Sequence, residues 1–253
     1  MFGKMLHDER GKLLIFVFFM SLVSVIQVAF WPTFREMLPR ISEFFPDFMQ
    51  WMVGGITEEG FIFYVITQQL IKNIGISGSA LAVLLGASAI AKEREAGTLE
   101  LLLAQPISRT RVLAEKFVFN AAVLAVPILV STMLVWPAAI AVGDEIDPTA
   151  LLVSAVYCYT IFVAIFAFTF AVGVVVDEQM RVISYGLGAC LLMMILIIYE
   201  ETKPYSIYGY LDVEILRPVF AAGRIPYWET LAFATLSAGF FVASLLLFRK
   251  KTI

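Results

Sequence analysis

Residues 91–116 read AKEREAGTLELLLAQPISRTRVLAEK, and they form the only long charged insert between two apolar runs of this chain. The runs on either side cover residues 61–91 and 117–142. Each is long enough to cross a bilayer, because a membrane-spanning helix needs ~20 mainly apolar residues. The insert must therefore lie at a membrane face.

The composition extends this interpretation to the whole chain of 253 residues. It is 60% hydrophobic and 15% charged, with a mean hydropathy of +0.88, whereas soluble domains are about half apolar and a quarter charged. A spanning segment must satisfy its own backbone hydrogen bonds, which favours helices, and the runs lack the alternation of a barrel. We predict an all-α polytopic membrane protein with one domain, 1–253, and spans at 13–31, 61–91, 117–142, 150–176, 182–199 and 230–248.

The basic residues predict the orientation. With the amino terminus inside and six crossings, the inner segments carry 12 of the 18 Lys and Arg residues. Cytoplasmic loops are enriched in Lys and Arg, so we expect both termini in the cytoplasm and the protein in the cell membrane. We expect the first run to remain as an anchor, because acidic residues precede it and no signal-peptide cleavage pattern follows. The inner basic residues are Lys4, Arg10, Lys12, Lys92, Arg94, Arg109, Arg111, Lys116, Arg181, Arg249, Lys250 and Lys251.

The two long outer segments predict short helices at the membrane interface. Segment 32–60 has apolar residues at helical spacing, but Pro39 and Pro46 break any single long helix. We expect Trp31 and Trp51 at headgroup depth, where aromatic residues are enriched. Segment 200–229 is rich in aromatic residues, is broken by three prolines, and suggests a similar element.

The sequence lacks the patterns of the common catalytic and metal sites. It has no phosphate-binding GxxxxGK[ST] loop and no HExxH or GxSxG motif. His7 is the only histidine, which excludes a two-histidine zinc site. Cys158 and Cys190 lie inside predicted spans and suggest small buried apolar residues. We expect no catalytic residue, no metal, no cofactor bound by this chain and no nucleic-acid partner.

Polar residues within the predicted spans are candidates for a substrate path, because polar and ionisable groups in a membrane are costly and often functional. The alternative for the lysine is that it lies near a span end and reaches the interface. The candidates are Gln27, Gln68, Gln69, Lys72 and Asn73.

The insert itself predicts a short helix between two longer ones. Gly97 ends the helix that leaves the second span, Thr98 can cap a helix over 99–104, and Pro106 closes it. Ser108 can cap the helix that leads into the third span. Because leucines make the short helix apolar nearly all round, it needs burial on more than one side. It either docks into a partner, with the flanking charges setting the register, or lies on lipid.

The pattern resembles the cytoplasmic loop of the type-two permease family of ATP-binding-cassette exporters. That loop has a Glu, then Gly-Thr-Leu-(Glu), a leucine pair, Pro-(apolar)-Ser-Arg and a Lys that opens the next span. The basic tail at 248–251 and the six-span layout extend the resemblance to most of the chain. The matching residues are Glu95, Gly97, Thr98, Leu99, Glu100, Leu102, Leu103, Pro106, Ser108, Arg109 and Lys116.

The resemblance implies a mechanism. Two copies, or one copy with a paralogue, would form an export pathway among membrane lipids, and separate ATP-binding-cassette ATPase subunits would bind ATP and Mg²⁺. The 92–116 loop would be the coupling helix that docks on the ATPase. The ATPase-binding residues would be Glu93, Glu95, Gly97, Thr98, Leu99, Glu100, Leu102, Leu103, Pro106, Ser108 and Arg109.

Two other functions fit the sequence. A transporter driven by an ion gradient usually buries an acid or base at mid-membrane, whereas the acids here lie at predicted span ends or outside. A non-transporting anchor or signalling partner for a cytoplasmic protein also remains open.

Overall fold

The computed structural model describes residues 2–41, 50–97 and 108–250, and this part of the chain is helical without any strand. Within it, six helices are long and apolar enough to cross a membrane, which confirms the predicted all-α polytopic fold. We number them spans 1 to 6. They are Phe2–Ile41; Phe61–Val65 with Ile66–Ile74 and Gly75–Glu95; Arg109–Met133 with Val135–Val142; Pro148–Val175; Gln179–Leu196; and Tyr227–Lys250.

Spans 2 and 4 form the centre of the bundle. Span 4 makes its most extensive contacts with spans 2 and 6, and its Phe162, Phe166 and Phe170 are fully buried. A Cβ added to Gly86 of span 2 would lie 2.8 Å from Cβ of Thr169 and 2.9 Å from the backbone nitrogen of Phe170. Small residues permit this close approach of two membrane helices.

Spans 1, 5 and 6 lie on the outside of the bundle. Their exposed faces carry large apolar side chains, including Phe18, Leu191 and Leu246. A surface of this kind suits hydrocarbon, in which apolar side chains need no burial inside the protein.

Span 1 is longer than the sequence predicts. The predicted first outer segment starts at Pro32, but the helix continues through Pro32 and Pro39 to Ile41. Proline removes one backbone hydrogen bond, which membrane helices tolerate when their surroundings compensate. The side chain of Trp31 is packed inside the protein, because it is only 2% exposed and its ring lies 4.9 Å from that of Tyr64. Its indole N–H donates to Asp144 Oδ2 at 2.7 Å.

Short helices occur in both predicted outer segments, as expected. Gln50–Glu59 precedes span 2, and Val213–Ala222 precedes span 6. The Glu59–Arg217 ion pair, 2.6 Å long, joins the two segments. Pro46 and the side chain of Trp51 lie outside the described residues.

Candidate functional site

The structure describes the two ends of the 91–116 insert, which we call its stems. The first stem is the end of span 2, and the second stem is the start of span 3. We call this end of the bundle the loop end. The predicted residues Glu93, Glu95, Gly97, Ser108 and Arg109 belong to the stems. The other six lie outside the described residues: Thr98, Leu99, Glu100, Leu102, Leu103 and Pro106.

Local sequence signals set where the stems end and begin. The helix of span 2 ends at Glu95, and Gly97 adopts a φ of 68°, in the left-handed region that favours glycine. Ser108 is the N-cap of span 3, and its hydroxyl accepts a hydrogen bond from the backbone N–H of Arg111. The predicted helix end at Gly97 and helix start at Ser108 are therefore confirmed.

A salt bridge joins the two stems. Lys116 Nζ lies 2.6 Å from Glu93 Oε1 and also donates to the carbonyl oxygen of Ala89 at 2.9 Å. Lys116 is 3% exposed. Breaking a buried ion pair is costly because it leaves one charge uncompensated, so this contact holds span 3 against span 2 at the base of the loop.

Arg94 joins the first stem to the end of span 4. Its guanidinium donates to the carbonyl oxygens of Gly173, Val174 and Val176 at 3.0–3.4 Å. It also lies 2.9 Å from Asp177 Oδ1. The last carbonyls of a helix lack partners within the helix and carry partial negative charge, so a guanidinium is well suited to this position.

Glu95 joins the same stem to the start of span 5. Its Oε2 accepts a hydrogen bond from the backbone N–H of Gln179 at 3.0 Å. The N-cap of span 5, Glu178, makes no side-chain capping hydrogen bond of its own. A carboxylate from a distant segment thus caps this helix, where the helix dipole favours negative charge.

Sequence reasoning assigned Glu93 and Glu95 to a partner and missed Arg94. The available signal was a basic residue in the last helical turn, which suits helix carbonyls. That signal does not indicate that the carbonyls belong to another helix about eighty residues away.

The second stem is more exposed. Arg109 is exposed, and Arg111 pairs with Glu115 at 2.8 Å along the same helix face. Arg249 of span 6 donates to the hydroxyl of Thr110 at 3.3 Å. Arg249 therefore lies beside the first turn of span 3.

The candidate path residues form contacts between spans 1 and 2. Four of the five lie on the π-helix Ile66–Ile74 of span 2. Asn73 Nδ2 donates to Gln69 Oε1 at 3.0 Å and to the main-chain oxygen of Met20 at 3.1 Å. Ser24, which sequence reasoning missed, donates to the same Gln69 oxygen at 2.8 Å. Gln69 Nε2 is buried without a hydrogen-bond partner among the described residues.

The other three path residues lie at the edge of this group. Gln27 Nε2 donates to the main-chain oxygen of Gln68 at 3.3 Å. Lys72 is exposed, and its ammonium lies 3.3 Å from Gln68 Oε1. The buried part of the cluster thus supplies hydrogen bonds between helices, of the kind that join helices in lipid.

Among the described residues, neither metal-binding side chains nor cysteines form a further candidate site. Among the residues that the structure describes, no group of three or more His, Cys, Asp or Glu side chains is arranged to hold a metal ion. Cys158 and Cys190 are free and buried, as predicted for small apolar residues.

Comparison with known proteins identifies the family. A search of curated proteins finds no match to this chain. A model of the ABC-2 family transporter proteins matches residues 13–202, which is three quarters of the chain and includes spans 2 to 5 and both stems. The chain therefore belongs to the ABC-2 family of transporter proteins, as a membrane-embedded permease subunit of an ATP-binding-cassette transporter.

Proposed function

We propose that this permease works as an exporter in the cell membrane, with both termini in the cytoplasm. Two copies, or one copy and a paralogue, form the pathway, and separate ATPase subunits dock on the 92–116 loop. ATP and Mg²⁺ bind to the ATPase and not to this chain. The observation that carries the proposal is the attachment of the loop's first stem to three other parts of the bundle through Glu93, Arg94 and Glu95.

These attachments allow a force on the loop to reach the pathway. Glu93 ties the first stem to span 3, while Arg94 and Glu95 tie it to the turn between spans 4 and 5. Coupling between distant sites needs packed or hydrogen-bonded elements that have two arrangements. Closure of the ATPase dimer would displace the loop and move these spans together between inward and outward states.

We divide the roles of the predicted coupling residues according to the contacts that they make. Glu93 and Glu95 are engaged within the chain, so we assign them to positioning the loop. We then assign the contact with the ATPase to residues 97–109. The leucines and Glu100 lie in the middle of this stretch of sequence. We also propose that the substrate passes along the candidate path residues, which are Gln27, Gln68, Gln69, Lys72 and Asn73.

An ion-gradient mechanism is less well supported. Transporters of that kind usually bury an ionisable group near the middle of the membrane. The described acidic residues of the spans, among them Glu9, Glu36, Glu115 and Glu229, all lie near helix ends.

Copurification from native membranes tests the docking. We expect the tagged wild-type protein to bring down an ATPase subunit. Leu102→Asp together with Leu103→Asp should abolish this copurification, because two carboxylates cannot be buried without partners in an apolar interface. Insertion in the membrane and elution as a single species should not change.

Arg181→Gln is the matched control. Arg181 lies at the loop end, and among the described residues its ion pair is with nearby Glu178, at 2.6 Å on an exposed surface. It should retain the ATPase. If the double leucine variant also retains the ATPase and its transport-coupled turnover, the proposed docking site is wrong.

A further inference from the structure

A polar cavity of about 240 Å³ lies at the loop end between spans 1, 2 and 3. Its walls include Glu9 and Met5 from span 1, Ser88 from span 2, and Phe119 and Asn120 from span 3. The volume greatly exceeds the ~30 Å³ that one water molecule takes up, so the cavity has room for a chemical group of several atoms.

The charged walls of the cavity are already organised. Lys12, which lies beside the lining, donates to Ser88 Oγ at 2.6 Å and pairs with Glu9, and Lys116 pairs with Glu93 on the other wall. Lys92, also in the lining, is exposed and has no ion-pair partner among the described residues. The lining itself carries two lysines and two glutamates. Because Glu9 pairs with Lys12 outside the lining and Glu93 pairs with Lys116, Lys92 is the lysine left to face an anionic group of a ligand.

The wall of the cavity formed by span 3 contains a hydrogen-bond acceptor that lacks a donor. Asn120 is 3% exposed, and its Nδ2 donates to the main-chain oxygen of Lys116 at 2.8 Å. Its Oδ1 has no hydrogen-bond partner among the residues that the structure describes. A buried acceptor without a donor is costly, so the site is suited to a ligand that brings an N–H or O–H group.

The position of the cavity indicates where such a ligand comes from. Candidate spans begin at Glu9 and Arg109 and end at Glu95, so the cavity lies where three spans reach the headgroup layer. Met5 and Phe119 add apolar surface to the lining. A group that combines phosphate, a hydrogen-bond donor and an apolar anchor at this depth is a phospholipid headgroup.

We propose that this cavity binds a phospholipid whose headgroup carries a hydrogen-bond donor, with the phosphate at Lys92 and the donor at Asn120 Oδ1. Ethanolamine and glycerol headgroups provide such a donor. A choline headgroup does not, because its nitrogen is fully methylated. This lipid site lies at the ends of the spans, and lipid binding there does not depend on ATPase docking.

Lipid binding to the delipidated full-length protein tests the proposal by native mass spectrometry. Phosphatidylethanolamine, phosphatidylglycerol and phosphatidylcholine with identical acyl chains are added separately. The first two should bind roughly tenfold more tightly than the third, the difference expected for one hydrogen bond at a buried site. Asn120→Leu should remove the preference, and Lys92→Gln should weaken all three lipids. Arg181→Gln, outside the cavity, should bind like the wild type.

Two further arms keep the test decisive if Asn120→Leu does not fold. Asn120→Asp keeps an acceptor and adds charge, so it should favour ethanolamine over glycerol headgroups. Soluble phosphoethanolamine and glycerol phosphate should not compete at the lipid's concentration. Equal binding of all three lipids by the wild type overturns the proposal and leaves a water-filled cavity. Competition by the soluble esters would show that the cavity binds a free phosphate ester and would overturn the assignment to a lipid.

Discussion

Glu95 accepts a hydrogen bond from the backbone N–H of Gln179 at 3.0 Å, although 84 positions separate the two residues in the sequence. Glu95 is the last residue of span 2 and Gln179 is the first residue of span 5. The end of one membrane helix thus caps the beginning of another. Together with Arg94, this contact fixes the turn between spans 4 and 5 to the first stem of the 91–116 insert.

Removing the charge of Glu95 should loosen the start of span 5. Glu95→Gln is expected to destabilise the protein by about 0.5–1 kcal/mol, the usual contribution of a cap with helix-dipole interaction. Hydrogen exchange of the backbone amides at 179–183 should become faster. Glu178→Gln serves as the control, because the exposed Glu178–Arg181 pair is worth little. Unchanged exchange in Glu95→Gln would contradict the capping role.

Breaking the Glu93–Lys116 pair should be costly when one partner remains. Glu93→Gln leaves Lys116 buried with the Ala89 carbonyl and should lower the free energy of unfolding by about 3 kcal/mol, the lower part of the range for buried pairs. The double variant Glu93→Gln with Lys116→Met removes both charges and should regain part of the loss. Unfolding of the detergent-solubilised protein measures the coupling. Strict additivity would show that the two residues act independently.

The close approach at Gly86 should not tolerate a side chain. Gly86→Ala places a Cβ 2.9 Å from a backbone nitrogen and 3.0 Å from a backbone oxygen of span 4. Because backbone atoms cannot rotate away, we expect a loss of roughly 1–3 kcal/mol. Gly188→Ala is the matched control, since nothing lies within 4 Å of its added Cβ, and it should be neutral or slightly stabilising. Equal stability of both variants would contradict the packing of span 2 on span 4.

The Trp31–Asp144 hydrogen bond should fix span 1 at the side of the bundle opposite the loop end. Trp31→Phe keeps an aromatic ring but removes the donor, and it should cost about 1.5–3 kcal/mol, as for hydrogen bonds to charged groups. Asp144→Asn keeps a carbonyl acceptor and should cost less. Thermal unfolding compares the two variants. A larger effect for Asp144→Asn would assign the stabilisation to another contact of the carboxylate.

Lys203 should stabilise the last outer segment only while it is protonated. Its hydrogen bond to Asp212 raises the pKa of the lysine above 10.5, with added effects of Glu214 and Glu200. The stabilisation is fully present below pH 10.5, the unfolded value, and is lost as the pH rises through the higher folded pKa. The stability difference between wild type and Lys203→Gln should therefore be constant at neutral pH and shrink above 10.5. A difference that changes near neutral pH would point to another group.

The sequence predicts much of the fold because the relevant signals are local. Six apolar runs predict six membrane helices, and the structure has them. Gly97 and Ser108 mark the helix end and the helix start on either side of the loop. The prediction was wrong at Pro39, which was expected to break the helix, because the helix continues through Pro32 and Pro39 to Ile41. A proline signals the loss of one hydrogen bond, which does not by itself decide whether a membrane helix ends there.

What the sequence determined by itself is therefore the helices, their number and the charged loop between the second and third, since hydropathy and capping depend on residues within a few positions. The tertiary structure alone decided that Glu93 pairs with Lys116, that Arg94 and Glu95 hold the turn between spans 4 and 5, and that Asn73 binds span 1. These partners lie some twenty to more than eighty residues apart. Such contacts depend on which helix faces pack together, and no local pattern encodes that choice.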